Sequence, residues 1–326
     1  MSTRGFADGG ELGARLRDRD LGAAAAAMNL IESRAPAARN QNDALLAAVS
    51  PSRLSGEAPA HIVGITGPPG VGKSSLLSRL VAAWRARDRS VAMLAVDPSS
   101  RRSGGALLGD RARIEVDPAD HAVFIRSTAA GNRLGGLAPA TRAGAYALAA
   151  AFDVVVIETV GVGQSETEVA DVADTVTVVV QPGSGDVLQF LKAGIMEVPD
   201  VLVVTKADLG RVATRALGDL RAALRALGAI DTGVIAVSTV APATGIDELV
   251  EALDAHRARL DLSARRLRAR RMHALADFVS EYGDRGLRAL GGRRQAEQWL
   301  SEQDSGLDVR ALERALAARA SAAPAP

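Results

Sequence analysis

The sequence predicts an α/β fold, a doubly wound, mostly parallel sheet with helical extensions before and after it. Three observations carry that prediction. Seven short β-rich runs lie between residues 60 and 238. Several are apolar throughout instead of alternating, as strands covered on both faces are. Amphipathic stretches at helical spacing separate them, the pattern of parallel strands joined by crossover helices.

Taken in order, residues 1–58 read as an N-terminal helical extension. Its apolar positions are Leu21, Met28, Leu30 and Ile31, then Leu45, Leu46 and Val49, with breaks at Pro36, Pro51 and Pro59. The sheet domain is expected over 59–255, with strands in HIVGIT, SVAMLAV, AVFIRS, DVVVIET, TVTVVV, VLVVT and GVIAVS. The clearest helix, SSLLSRLVAAWRAR, sets Leu76, Leu77, Leu80, Val81 and Trp84 on one face. Residues 256–326 have no strand pattern. They are Arg-rich and helical, and end in SAAPAP.

Composition narrows the function classes. Hydrophobic residues make up 48% and charged residues 24% of 326, the profile of a globular protein. No apolar run reaches the roughly 18 residues of a membrane span. The N-terminus lacks the apolar stretch of a signal peptide and carries Asp8, Glu11, Asp18 and Asp20, so a cytoplasmic protein is expected. Zero cysteines exclude disulfides and thiolate chemistry, and a net charge of +1 gives no general pull toward nucleic acid. Of 39 basic residues only Lys73, Lys192 and Lys206 are lysines, which draws attention to sites needing a compact ammonium.

Two of those lysines fall in motifs. Gly67, Pro68, Pro69, Gly70, Val71, Gly72, Lys73, Ser74 and Ser75 form a glycine-rich loop between the first expected strand and a helix. That context makes it a P-loop: backbone N–H groups and the helix N-terminus face phosphates, Lys73 spans the β- and γ-phosphates, and Ser74 is a Mg2+ ligand. Glu158, at the end of DVVVIET, starts the stretch Glu158-Thr159-Val160-Gly161. Its carboxylate can serve the Mg2+ shell, and the Gly161 N–H can reach the γ-phosphate. Asp97 ends the neighbouring strand as a metal-shell or water-orienting group. Thr205, Lys206 and Asp208 follow another buried strand in the form Thr-Lys-x-Asp. An aspartate there accepts from N1–H and the 2-amino group of guanine, so GTP and GDP are expected ligands. Thr205 is shorter than the usual asparagine, which predicts weaker binding. Ser238 and Thr239 are placed to close over the base.

With these residues in hand, the chain resembles the MeaB-like family of P-loop GTPases, G-protein chaperones of adenosylcobalamin-dependent methylmalonyl-CoA mutase. Relatives have also been called lysine/arginine/ornithine transport kinases. The resemblance covers about residues 20–255 and rests on GITGPPGVGKSS, LAVDPSS, SGGALLGDR, ETVGVGQSE and PGSGDVLQFLKAG. It implies that Lys73, Asp97, Asp110 and Glu158 form the catalytic set, with Ser74, Asp97, Asp110 and Glu158 handling Mg2+. It also implies that 181–194 is a mobile loop reporting mutase binding, in which Lys192 would pair with a carboxylate. Either Gln164 or Asp110 would orient the attacking water. The partner would be methylmalonyl-CoA mutase or a related acyl-CoA mutase, with no nucleic acid or membrane partner. A homodimer would form through a C-terminal arm, with Leu267, Met272, Leu275, Phe278, Val279 and Tyr282 as its apolar stripe. The basic run RRLRARR at 265–271 lacks aromatics and reads as a solvated helix face. The rival readings are a metal- or cofactor-insertion GTPase for another client, a signal-recognition-type GTPase and a small-molecule transport-system kinase. Scattered histidines, few methionines and the Lys206/Asp208 pair weigh against them.

Overall fold

The computed structural model describes residues 7–97, 114–129, 137–159, 169–183, 199–229 and 231–322. The expected strands are present as β1 His61–Thr66, β2 Val91–Asp97, β3 Val123–Ala129, β4 Val154–Thr159, β5 Thr175–Val180, β6 Val201–Val204 and β7 Gly233–Ala236. They form one sheet in the order β3-β2-β4-β1-β5-β6-β7, and every neighbouring pair is parallel. All strands therefore end at the same edge, where ligands of open α/β sheets bind. β1 lies at the centre of that edge.

The helices are α1 Gly9–Arg17, α2 Ala24–Ile31, α3 Ala38–Ala48, α4 Pro51–Leu54, α5 Lys73–Arg85, α6 Pro139–Ala149, α7 Arg211–Ala226, α8 Ile246–Ala258, α9 Leu262–Ala289, α10 Arg293–Ser301 and α11 Val309–Ala322. Among the described residues, no helix is long and apolar enough to cross a membrane. Residues 60–145 and 152–260 make one compact unit, and residues 1–59, 146–151 and 261–326 make another.

In the sheet unit, alternate residues of each strand face opposite layers. Val63, Ile65, Met93, Val154 and Val156 pack with Leu76, Leu77, Leu80, Val81 and Trp84 of α5 and with Leu249, Val250 and Leu253 of α8. Each such side chain contributes about 2 kcal/mol by leaving water. The opposite layer sets Val178, Val180, Leu202 and Val204 against Leu220 and Leu224 of α7. At the sheet edge away from the strand ends, a buried polar chain links His61 Nε2 to Thr175 Oγ1 at 2.7 Å and Thr175 Oγ1 to His256 Nδ1 at 2.8 Å.

In the helical unit, Ala274, Leu275 and Phe278 of α9 pack with Ala296 and Leu300 of α10 and with Leu312 and Leu316 of α11. Half of the apolar stripe expected for a dimer arm is thus internal core: Leu275 and Phe278 are buried and Val279 packs beside them. Met272 and Tyr282 remain 40% and 45% exposed. The basic run also differs from expectation, because two of its arginines are buried. Arg266 donates to Ala58 O at 2.7 Å, while Arg270 makes two 2.8 Å bonds to the Glu57 carboxylate and a 2.9 Å bond to Ser305 O. Connecting segments carry backbone carbonyls that need donors, and a forked guanidinium reaches several at once.

Candidate functional site

The glycine-rich loop leaves β1 pressed against β5. A Cβ on Gly67 would lie 2.2 Å from Val179 O, and φ there is 147°. Gly72, at φ 97°, turns the chain into α5 from the left-handed region that other residues avoid. The helix then starts at Lys73, so its unpaired N–H groups and positive dipole end open into the loop. Lys73 is buried, and its ammonium donates to Gly67 O at 2.7 Å and Pro68 O at 3.1 Å. The loop therefore folds its own cation inward over the backbone that would cradle phosphate. Ser74 and Ser75 occupy the first turn of α5. One turn on, Ser78 Oγ donates to Ser74 O at 3.1 Å and accepts from Glu115 N–H at 2.9 Å.

Glu158 sits beside this loop. In register it lies between Ile65 of β1, one residue before the final strand residue, and Ala95 of β2. It is 1% exposed and follows Val154 and Val156 on the α5 side of the sheet. Asp97 is the last residue of β2, two positions past Ala95, the register partner of Glu158. Asp110, Gly161, Gln164 and Lys192 lie outside the described residues.

The third element is the turn after β6. The Thr205 hydroxyl is 2.6 Å from Val71 O in the phosphate loop and 3.0 Å from Val180 O. Lys206 adopts φ 54° and reaches Gly70 O at 3.4 Å and the Gln181 side chain. Asp208 accepts a 2.8 Å hydrogen bond from Ser238 Oγ, so Ser238 is committed to the carboxylate. Thr239 presents its carbonyl to Arg79 of α5, whose Nε and Nη2 lie at 3.3 and 3.1 Å. Sequence reasoning missed Arg79, Ser78 and Gln181. Their partners lie 160, 37 and 25 residues away along the chain, and no motif marks them.

Among the described residues no three His, Asp or Glu side chains converge to hold a metal ion unaided. Mg2+ in a phosphate site uses one or two protein oxygens and completes its shell with phosphates and water. The Ser74 hydroxyl and the Glu158 carboxylate are hard oxygen donors of the kind it takes.

A parallel sheet with a glycine-rich loop and a buried lysine at the end of its central strand defines the P-loop GTPase class. The chain belongs to the family described as methylmalonyl Co-A mutase-associated GTPase MeaB, which matches residues 24–285. A GTPase-named protein of Pyrococcus horikoshii is 53% identical over 150 residues, covering 46% of this chain and 47% of its own length. A Caenorhabditis elegans protein named methylmalonic aciduria type A homolog, mitochondrial, is 39% identical over 208 residues, covering 61% of this chain and 50% of its own. The matches thus span about half the length of these curated relatives. A solved structure described as a LAO/AO transport system kinase is 30% identical with a TM-score of 0.63, covering 92% of this chain and 99% of that one.

Proposed function

We propose that the protein binds and hydrolyses GTP and, as a G-protein chaperone, gates the loading, protection or reactivation of an adenosylcobalamin-dependent methylmalonyl-CoA mutase. The observation that carries this reading is the joining of the phosphate loop to the base-side turn through Thr205 and Lys206, in a chain of the mutase-associated family. Phosphoryl transfer depends mainly on positioning and charge neutralisation, and this chain supplies both. Lys73 and the α5 N-terminus offset the phosphate charge. Ser74 and Glu158, with Asp97 and Asp110, would hold Mg2+, which would neutralise charge on the β- and γ-phosphate oxygens. Asp208 selects guanine because adenine leaves its carboxylate without the two donors it accepts from. A water attacks the γ-phosphorus in line while the bond to the bridging oxygen breaks. Binding of the client orders the segments around the γ-phosphate and speeds that step. A homodimer through the C-terminal helices belongs to the same reading, with Met272 and Tyr282 as contact residues, and a cytoplasmic location suits it.

The test is GTP and ATP hydrolysis by the purified protein, alone and with the adenosylcobalamin-dependent methylmalonyl-CoA mutase of the same organism. Slow GTP turnover, raised by the mutase and not matched with ATP, is the expected result. Equal use of ATP would overturn the guanine assignment and favour a transport-system kinase instead. GTP turnover that the mutase leaves unchanged would remove the client and keep the GTPase.

A further inference from the structure

We propose that Arg79 is a positioning residue for base discrimination: it fixes one peptide plane so that Ser238 presents its hydroxyl to Asp208. The inference rests on the guanine reading above and deepens it. Its starting point is the lobe that follows β7. Ser238 and Thr244 exchange two backbone hydrogen bonds of 3.0 Å, which pinch the chain into a closed loop. Beyond the pinch, Val240, Ala241, Pro242 and Ala243 are exposed. Such a lobe has no core to hold it, so its hydrogen bonds decide its position.

Among the described residues, Arg79 is the one side chain from outside the lobe that hydrogen-bonds to residues 239–243. Both its Nε and its Nη2 donate to Thr239 O, at 3.3 and 3.1 Å. A trans peptide is planar, with its C=O and N–H pointing in opposite directions. Holding Thr239 O toward α5 therefore aims the Val240 N–H away from it. That N–H donates to Ser238 Oγ at 3.3 Å, and Ser238 Oγ in turn donates to Asp208 Oδ1 at 2.8 Å. A hydroxyl has one proton and accepts with its lone pairs, so accepting from Val240 leaves that proton for Asp208. The base-reading carboxylate is thereby referenced to the helix that begins at Lys73. That helix is a firm platform, since Leu76, Leu77 and Leu80 on either side of Arg79 are fully buried.

Inosine diphosphate lacks the 2-amino group of guanine and so offers the carboxylate one donor instead of two. The ratio of its Kd to that of GDP reports how well Asp208 is placed. Arg79 is exposed, so its substitution does not threaten folding. Arg79→Met is expected to lower the ratio about threefold to tenfold, the effect of one hydrogen bond to a charged group at partial exposure. Arg79→Lys, which keeps a donor, should recover part of it. Ser238→Ala should lower the ratio by itself, and the double variant should fall no further, because both changes act through one chain. A wild-type ratio near one would overturn the guanine reading and this inference with it. A discriminating wild type with an equally discriminating Arg79→Met would overturn the inference alone. So would an equal loss of affinity for both nucleotides, or fully additive losses in the double variant.

Discussion

The hydroxyl of Thr205 has one proton and two carbonyls within reach. Val180 O already accepts the Thr205 N–H at 2.9 Å, so the proton goes to Val71 O, the shorter contact at 2.6 Å. By the planarity of the Val71–Gly72 peptide, that bond turns the Gly72 N–H away from Thr205, toward the side where a P-loop offers donors to phosphate. Replacing Thr205 by valine keeps the shape and removes the bond. Affinity for GDP is expected to fall about tenfold, roughly 1.4 kcal/mol, in line with the net worth of a buried hydrogen bond. Thr205→Ser should retain most of it. Titration with a fluorescent GDP analogue measures both, and an unchanged valine variant would show that the hydroxyl does not set the loop. The sequence marks Thr205 as a departure from asparagine, but its partner lies 134 residues earlier. A contact of that separation leaves no local pattern, and only the folded sheet brings it into view.

At the scale of elements, the strands were the most legible part of the chain, because burial on both faces forces an apolar run that few other structures need. β7 is shorter than its run suggests: Val237 still bonds back to Val204 O, but Ser238 has already turned to pair with Thr244. The face of α5 was equally plain, since all five of its predicted apolar residues are buried. What periodicity did not reveal was how helix and strand ends are pinned by charge. Arg85, at the end of α5, sits 2.7 Å from Asp120, in the turn before β3, and this hydrogen bond holds the Asp120 carboxyl below its usual 3.8. A carboxyl depressed in the folded state adds stability above its unfolded value, and that stability is lost as pH falls through the folded one. Both side chains keep about a quarter of their exposure, so the contribution is small, about 0.5 kcal/mol. In urea unfolding, Asp120→Asn should therefore be slightly less stable than wild type from pH 5 upward, and the gap should close as pH is taken below 3.8. A gap that persists into acid would mean that the aspartate acts through its turn geometry and not through its charge.

For the whole molecule, the helical unit is built from residues at opposite ends of the chain, and one ion pair shows what that costs and secures. Glu57 follows the short α4, Arg270 lies in the first half of α9, and Ser305 precedes α11. The guanidinium is 6% exposed and the carboxylate 12%, so neither charge is well hydrated and each depends on the other. Pairing of this kind adds little net stability over a well-packed apolar pair, yet removing one partner strands a charge in low dielectric, at about 3 kcal/mol. Glu57→Gln is thus expected to lower the urea midpoint of the protein sharply. Glu57→Gln combined with Arg270→Met should recover much of the loss, since the stranded cation is then gone and a flexible apolar side chain fills its path. Far-ultraviolet circular dichroism at 222 nm suits the measurement, because it follows the loss of helix on unfolding. Equal destabilisation in the single and double variants would show that the loss does not come from a stranded Arg270 charge.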